Sequence, residues 1–128
     1  MDEPSACRVW WDQHNSVARN TWRPGAVCRL EDAKAVVHAT AELHRGAVPV
    51  LVDMRQVAKI ERSARQYFTG PDADATAIAL LVGSAVSAFI GRVMTGLLIR
   101  TPCRTFTDET AALAWLAIHG RIPPSTTP

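Results

Sequence analysis

This sequence predicts an α/β domain, a mixed sheet that opens with an antiparallel hairpin and has helices packed on it. Three observations lead there. Two strand-like runs stand near the start, joined by turn-forming residues. Three further strand-like runs follow, and the first, Val48 to Val52, is apolar without alternation, as a strand buried on both faces is. Segments with helical periodicity lie between and after those runs. The expected order is β-β-α-β-α-β-α-β-α.

The hairpin strands are Arg8 to Trp11 and Val17 to Trp22, connected by Asp12 to Ser16, whose polar residues suit a turn. Pro24 and Gly25 make a short connection. From Glu31 to Arg45, Ala33, Val36, Val37, Thr40 and Leu43 share one helical face, and Lys34, His38, Glu42 and Arg45 take the other. Gly46 is placed to end that helix. Val48 to Val52 reads as a central strand, with Pro49 tolerated near its start. The stretch from Ile60 to Thr69 predicts a helix on which Ile60, Ala64, Tyr67 and Phe68 dock together, stopped by Gly70 and Pro71. Thr76 to Val82 is a buried strand that hands over at Gly83 and Ser84 to a helix running to Ile99. Val86, Phe89, Ile90, Val93 and Leu97 recur on that helix's expected core face, opposite Ser84, Ala88, Gly91, Arg92 and Thr95. Pro102 precedes a short strand, Cys103 to Phe106. Thr107-Asp108 then supplies an N-cap for a last helix that ends at Gly120, with Ala112, Trp115, Leu116 and His119 along its inner stripe.

Composition narrows the class. The chain has 128 residues, 48% hydrophobic and 20% charged, which fits one domain with one core. Residues 1–7 read as an N-terminal extension, 8–120 as the domain and 121–128 as a Pro/Ser/Thr tail. A net charge of +2, with the basic residues scattered, argues against a nucleic-acid partner. Cys7, Cys28 and Cys103 lack the spacing of a disulfide framework or a zinc site and read as reduced structural thiols. The acidic start lacks the pattern of a secretory signal, so the expected location is the cytoplasm. The apolar stretch 76–99 breaks at Gly83 and carries Arg92, which is costly at a membrane centre, so no membrane span is expected.

Chemistry-bearing motifs are sparse. Val82 to Ala85 has neither the Gly-rich dinucleotide pattern nor the Walker lysine, and no cofactor is expected. Leu81 to Ala85 is not G-x-S-x-G. The four histidines, His14, His38, His44 and His119, share no metal-ligand spacing.

Three segments carry a resemblance: Val50 to Arg65, Ala77 to Ser84, and Phe106 to Leu116. Together they are similar to the SpoIIAA-like branch of STAS-type domains, in a small, mostly actinobacterial group of uncharacterised proteins. The likeness spans roughly residues 8–119, one domain's length. It implies a SpoIIAA-like (STAS-type) sheet of four or five strands, often a homodimer, and regulatory protein–protein contact, with some relatives linked to small ligands or lipids. In the anti-sigma factor antagonists of this group a serine at the start of the second helix is a phosphorylation switch. Ser63 fills that position, although Glu61 and Ala64 depart from the D-S-S-G pattern. Arg62 and Arg65 stand ready to pair with a phosphate. The alternative is a serine that only caps backbone donors.

Ligands in such sheets gather at the carboxyl ends of the strands. Asp53 with Arg55, Ser84, and Phe106 with Thr107 fall there. Asp53 either binds a ligand, acts as a base in an uncatalogued activity, or caps and pairs structurally beside Arg55. Trp10, Trp11 and Trp22 either line a partner interface or cover the sheet's helix-free flank. The reading that follows is a non-catalytic module working through protein contact, as a homodimer. Its rival is a carrier or sensor that holds a small apolar ligand or lipid between the sheet and the helix Ser84 to Ile99.

Overall fold

The computed structural model describes residues 6–43, 46–70, 73–97 and 101–121. Strands β1 (Cys7–Asp12), β2 (Val17–Trp22), β4 (Pro49–Asp53), β6 (Ala77–Leu81) and β7 (Cys103–Phe106) form one sheet in the order β1-β2-β4-β6-β7. β1 and β2 are antiparallel, with Cys7 opposite Trp22; every later pairing in this sheet is parallel. Two two-residue strands, β3 (Val27–Cys28) and β5 (Lys59–Ile60), form a separate parallel ribbon. The helices are α1 (Leu30–Leu43), α2 (Arg62–Phe68), α3 (Ala85–Leu97) and α4 (Glu109–His119). The sheet and hairpin match the expected α/β architecture. The domain starts with β1 at Cys7, which the expected N-terminal extension had included. Most of the expected extension and tail lies outside the described residues.

Topology distributes the helices. From β2 through β4 and β6 to β7 the chain steps in one direction across the sheet, and right-handed crossovers then place the intervening helices on one face. The hydrophobic clusters agree: Ala33 and Val36 of α1, Ala64 of α2 and Met94 of α3 pack with Cys7, Val9, Trp22 and Leu80. α4 alone covers the other face, where Ala112 and Leu116 meet Val17, Leu51, Ala77, Ala79 and Leu81. Small residues let α4 sit close: a Cβ on Gly120 would lie 2.8 Å from Pro49 Cβ. Gly120 is thus required for close approach, not for a left-handed turn. His119, expected inward, is exposed and stacks on Trp115 with ring centroids 5.0 Å apart. Ile60, expected in α2, belongs to β5.

The largest departure is α3. Its expected core residues Val86, Phe89 and Leu97 are 52%, 59% and 48% exposed, while Ser87, Gly91 and Met94 are buried. Two features turn the helix this way. Ser84 and Ser87 make a reciprocal cap: Ser84 Oγ accepts from the Ser87 N–H at 3.0 Å, and Ser87 Oγ accepts from the Ser84 and Gly83 N–H groups at 2.9 and 3.0 Å. Gly91 lies against the sheet so closely that a Cβ there would stand 2.9 Å from Thr105 Cγ2 and 3.1 Å from Val82 Cγ1. Ser87 and Gly91 face inward where only small side chains fit, with Met94 beside them; Ile90 packs on the core as expected, and Val86, Phe89 and Leu97 are left outside. No helix among the described residues is long and apolar enough to cross a membrane.

Polar ties hold the hairpin. Asp12 accepts from the Asn15 side chain at 2.9 Å, the Asn15 N–H at 3.1 Å and Arg19 Nη1 at 3.2 Å. Arg19 Nη2 reaches Glu109 at 2.7 Å, joining the hairpin to the start of α4. Burial pushes the Asp12 carboxyl up, yet these hydrogen bonds outweigh it and hold its pKa below the ordinary 3.8.

Two outcomes are expected. A depressed carboxylate pKa contributes stability that is present above the unfolded value and lost as pH falls through the folded one. Melting curves across the acid range should therefore show a shallower acid loss for Asp12→Asn than for wild type; identical acid limbs would contradict the role assigned to Asp12. Gly91→Ala should cost about 1–3 kcal/mol in urea unfolding through overpacking. Gly96→Ala, which meets nothing within 4 Å, should stabilise by roughly 0.5–1 kcal/mol. Equal effects at both positions would show that α3 does not pack through Gly91.

Candidate functional site

Strand alternation aims a defined set of side chains at the three-helix face. Asn20 and Trp22 of β2, Val50 and Val52 of β4, and Ile78 and Leu80 of β6 floor a cavity of about 260 Å3. Val36, Val37, Thr40 and Ala41 of α1 roof it, and Met54, Ile60 and Met94 are among its further lining residues. Gly46 and Ala73 to Ala75 also line it. These residues precede β4 and β6, so they mark the edge where the parallel strands begin. An apolar void of about 150 Å3 already holds benzene, and ligand pockets start near 300 Å3. The space is of ligand size and mostly hydrocarbon.

One group departs from that lining. Asn20 is 4% exposed, and its Oδ1 accepts from Trp22 Nε1 at 3.0 Å. An indole N–H only donates, so the atom it meets must be the amide oxygen and the Asn20 NH2 is the remaining end. No buried side-chain nitrogen or oxygen among the described residues lacks a hydrogen-bond partner, so this NH2 is open to the cavity that Asn20 lines. Thr40, the neighbouring polar liner, donates its hydroxyl to the Val36 carbonyl at 2.7 Å. The periodicity of β2 already hinted at Asn20, which shares a strand face with Ala18 and Trp22, but a polar residue in a hairpin strand reads first as solvated.

The residues expected at the carboxyl edge are engaged otherwise. Asp53 is bound by Arg55, with Nε to Oδ1 at 2.9 Å and Nη2 to Oδ2 at 2.6 Å, which is the structural pairing among the alternatives. That hydrogen bond is also the main cause that raises the Arg55 pKa. Arg55 in turn lies over Gly83, whose Cβ would fall 3.1 Å from it. Ser84 is consumed by the α3 cap, and exposed Thr107 borders an open depression with Val82, Phe106 and Asp108. The structure does not gather Asp53, Ser84 and Thr107 around one concavity. Met54 and Val57, both buried, occupy the space beyond β4. The Met54 N–H binds the Leu81 carbonyl at 3.0 Å. The cavity thus runs beneath α1 from the edge where the parallel strands begin as far as Met54, without including Asp53, Ser84 or Thr107 in its lining.

Ser63 is exposed in the first turn of α2, one residue beyond Arg62, while Glu61 holds the N-cap position without a side-chain cap bond. Arg65 donates to the Ile60 carbonyl at 2.7 Å and Arg62 is exposed. The tryptophans do not form one surface. Trp22 is buried and inside β2, which removes it from any interface, and half-buried Trp11 packs with Ala18, Val48 and Val50. Trp10 is on the opposite face, with the Arg8 and Arg19 guanidinium carbons 4.6 and 5.4 Å from its ring centroid. Burial pushes the Cys28 thiol up to about 12 and the Cys103 thiol to about 11, which keeps both protonated and inert near neutrality. Among the described residues no cluster of three or more His, Cys, Asp or Glu side chains is arranged to hold a metal ion.

Comparison with known proteins follows this geometry. An uncharacterized protein of the DUF3478 family from Shewanella loihica PV-4, which has a SpoIIAA-like fold, superposes with a TM-score of 0.59 at 15% identity, over 87% of this chain and 92% of that one. At that identity the likeness speaks for the fold, which is therefore SpoIIAA-like. No curated protein matches. The family described as "Domain of unknown function (DUF7793)" matches residues 10–119, nearly the whole described domain, and this chain belongs to that family.

Proposed function

We propose that this domain is a non-catalytic binding module that holds a small apolar molecule in the cavity beneath α1. The observation that supports this is the cavity of about 260 Å3, lined by Val36, Val50, Ile78, Leu80 and Met94 in a domain of this size. A partly open, mostly apolar concavity with one polar group directed into it has the make-up of a small-ligand site. The carrier or sensor alternative is thereby preferred, with the helix α1, not α3, as the roof. A neutral apolar fluorophore, N-phenyl-1-naphthylamine, should give a saturable rise in emission at one molecule per chain. Val50→Phe and Val37→Phe, which fill the space from floor and roof, should abolish it while circular dichroism shows a folded protein. No saturable rise in wild type, or an unchanged rise in both filled variants, would overturn the reading.

A second reading rests on α3. Exposed Val86, Phe89 and Leu97 lie along it with half-buried Ile90 and Val93 beside them, and the order is nearly the same read in either direction, since Val86 and Leu97, and Ile90 and Val93, exchange about a centre beside Gly91. An isologous pair needs a self-complementary patch of this kind. We infer a homodimer through antiparallel α3 helices, the form in which regulatory protein contact enters this proposal. Sedimentation equilibrium should give a dimer for wild type and a monomer for Phe89→Glu, whose side chain is 59% exposed in the single chain. A wild-type monomer at micromolar concentration would refute it.

A further inference from the structure

We infer that Asn20 makes the cavity selective for small, uncharged, mostly apolar molecules bearing one hydrogen-bond acceptor, such as a ketone, aldehyde or ester, and that Trp22 sets this preference. The inference rests on the cavity being a ligand site. It starts from the orientation of one amide. Trp22 Nε1 takes Asn20 Oδ1 at 3.0 Å, and both side chains are buried, at 5% and 4% exposure. That bond turns the Asn20 NH2 away from the indole, in a residue that lines the cavity, and since no buried side-chain nitrogen or oxygen among the described residues lacks a partner, this NH2 is open to the cavity space. Water meets it there when no ligand is bound, and a ligand that displaces the water must replace that hydrogen bond or lose it. An acceptor atom on a ligand would satisfy the amide, whereas a hydrocarbon would leave it orphaned.

Charge is disfavoured on separate grounds. No lysine or arginine lines the cavity among the described residues, and the exposed Asp74 is among its lining residues. A carboxylate or phosphate ligand would lose its hydration without gaining a cation. Size acts in the same direction, because about 260 Å3 accommodates one or two rings.

Trp22 is a positioning residue in this scheme. Its indole can only donate, so it locks the amide oxygen away from the cavity. With Trp22→Phe that lock is gone, and the amide is free to turn its oxygen inward and accept from a ligand donor.

The test uses matched isosteres, read as displacement of N-phenyl-1-naphthylamine from the full chain. Acetophenone and α-methylstyrene differ by C=O against C=CH2; indole and indene differ by N–H against CH2. The ketone-to-hydrocarbon affinity ratio should fall on the order of tenfold from wild type to the double variant Asn20→Leu/Trp22→Phe, in which neither polar partner is left unpaired. In Trp22→Phe alone, indole should gain several-fold over indene relative to wild type. An unchanged ratio in both comparisons, with all four compounds displacing the fluorophore, would overturn the inference and leave the cavity reading intact. Absence of fluorophore binding to wild type would overturn both. If the double variant fails to fold, the indole-to-indene comparison in Trp22→Phe carries the test, and no gain for indole there would overturn the inference.

Discussion

The direction of the crossovers governs this molecule. Because the chain advances from β2 to β7 without reversing, α1, α2 and α3 must share one face of the sheet, and α4 is left to cover the other. The strands β4 and β6 lie in the middle and are buried on both faces, so each face needs a lid of its own. One face is thickly covered and the other only in part. Three helices arranged over five strands do not close perfectly, and the void between α1 and the sheet is where they fail to meet.

The thinly covered face solves its exposure with charge. α4 spans β4, β6 and β7, and the outer half of the hairpin has no helix above it. There Trp10 is flanked by Arg8 and Arg19, and Arg19 continues to Asp12 and Glu109. Arginine covers an aromatic face with its planar head while keeping its hydrogen bonds, a task a shorter apolar residue would leave to water. Individual surface ion pairs of this type contribute little to stability, and their value here is in orienting the hairpin on α4.

Inside the thick face, the buried polar atoms follow one economy. Ser84 and Ser87 satisfy each other and the first N–H groups of α3, Thr40 returns to its own helix carbonyl, and the Trp22 indole finds the Asn20 oxygen. The Asn20 NH2 instead opens onto the apolar cavity beneath α1. Packing and chemistry therefore meet at the same residue, which connects the architecture to the ligand reading.

Much of this was legible in the sequence, element by element. Val17 to Trp22 and Cys103 to Phe106 are strands with the expected ends, and Asp108 caps α4 through the Ala111 N–H at 2.9 Å. Those features are local: a two-residue alternation, an apolar run between turn formers, a side chain reaching three residues along. The ribbon of β3 and β5 was not legible, because two residues carry no period and the pairing joins segments more than thirty positions apart. Nor was the rotation of α3. Its apolar stripe pointed to the core by periodicity, but the gap over β6 and β7 admits only Ser87, Gly91 and Met94, and that gap exists only once the strands are assembled. Asn20 follows the same logic, since a polar residue in a hairpin strand becomes a buried donor only when α1 closes over it. The sequence by itself determined which segments are helix and strand, since backbone preference and amphipathic period act over a few residues. Only the tertiary structure decided which faces they present and where space remains, because volume is shared among elements distant in the chain.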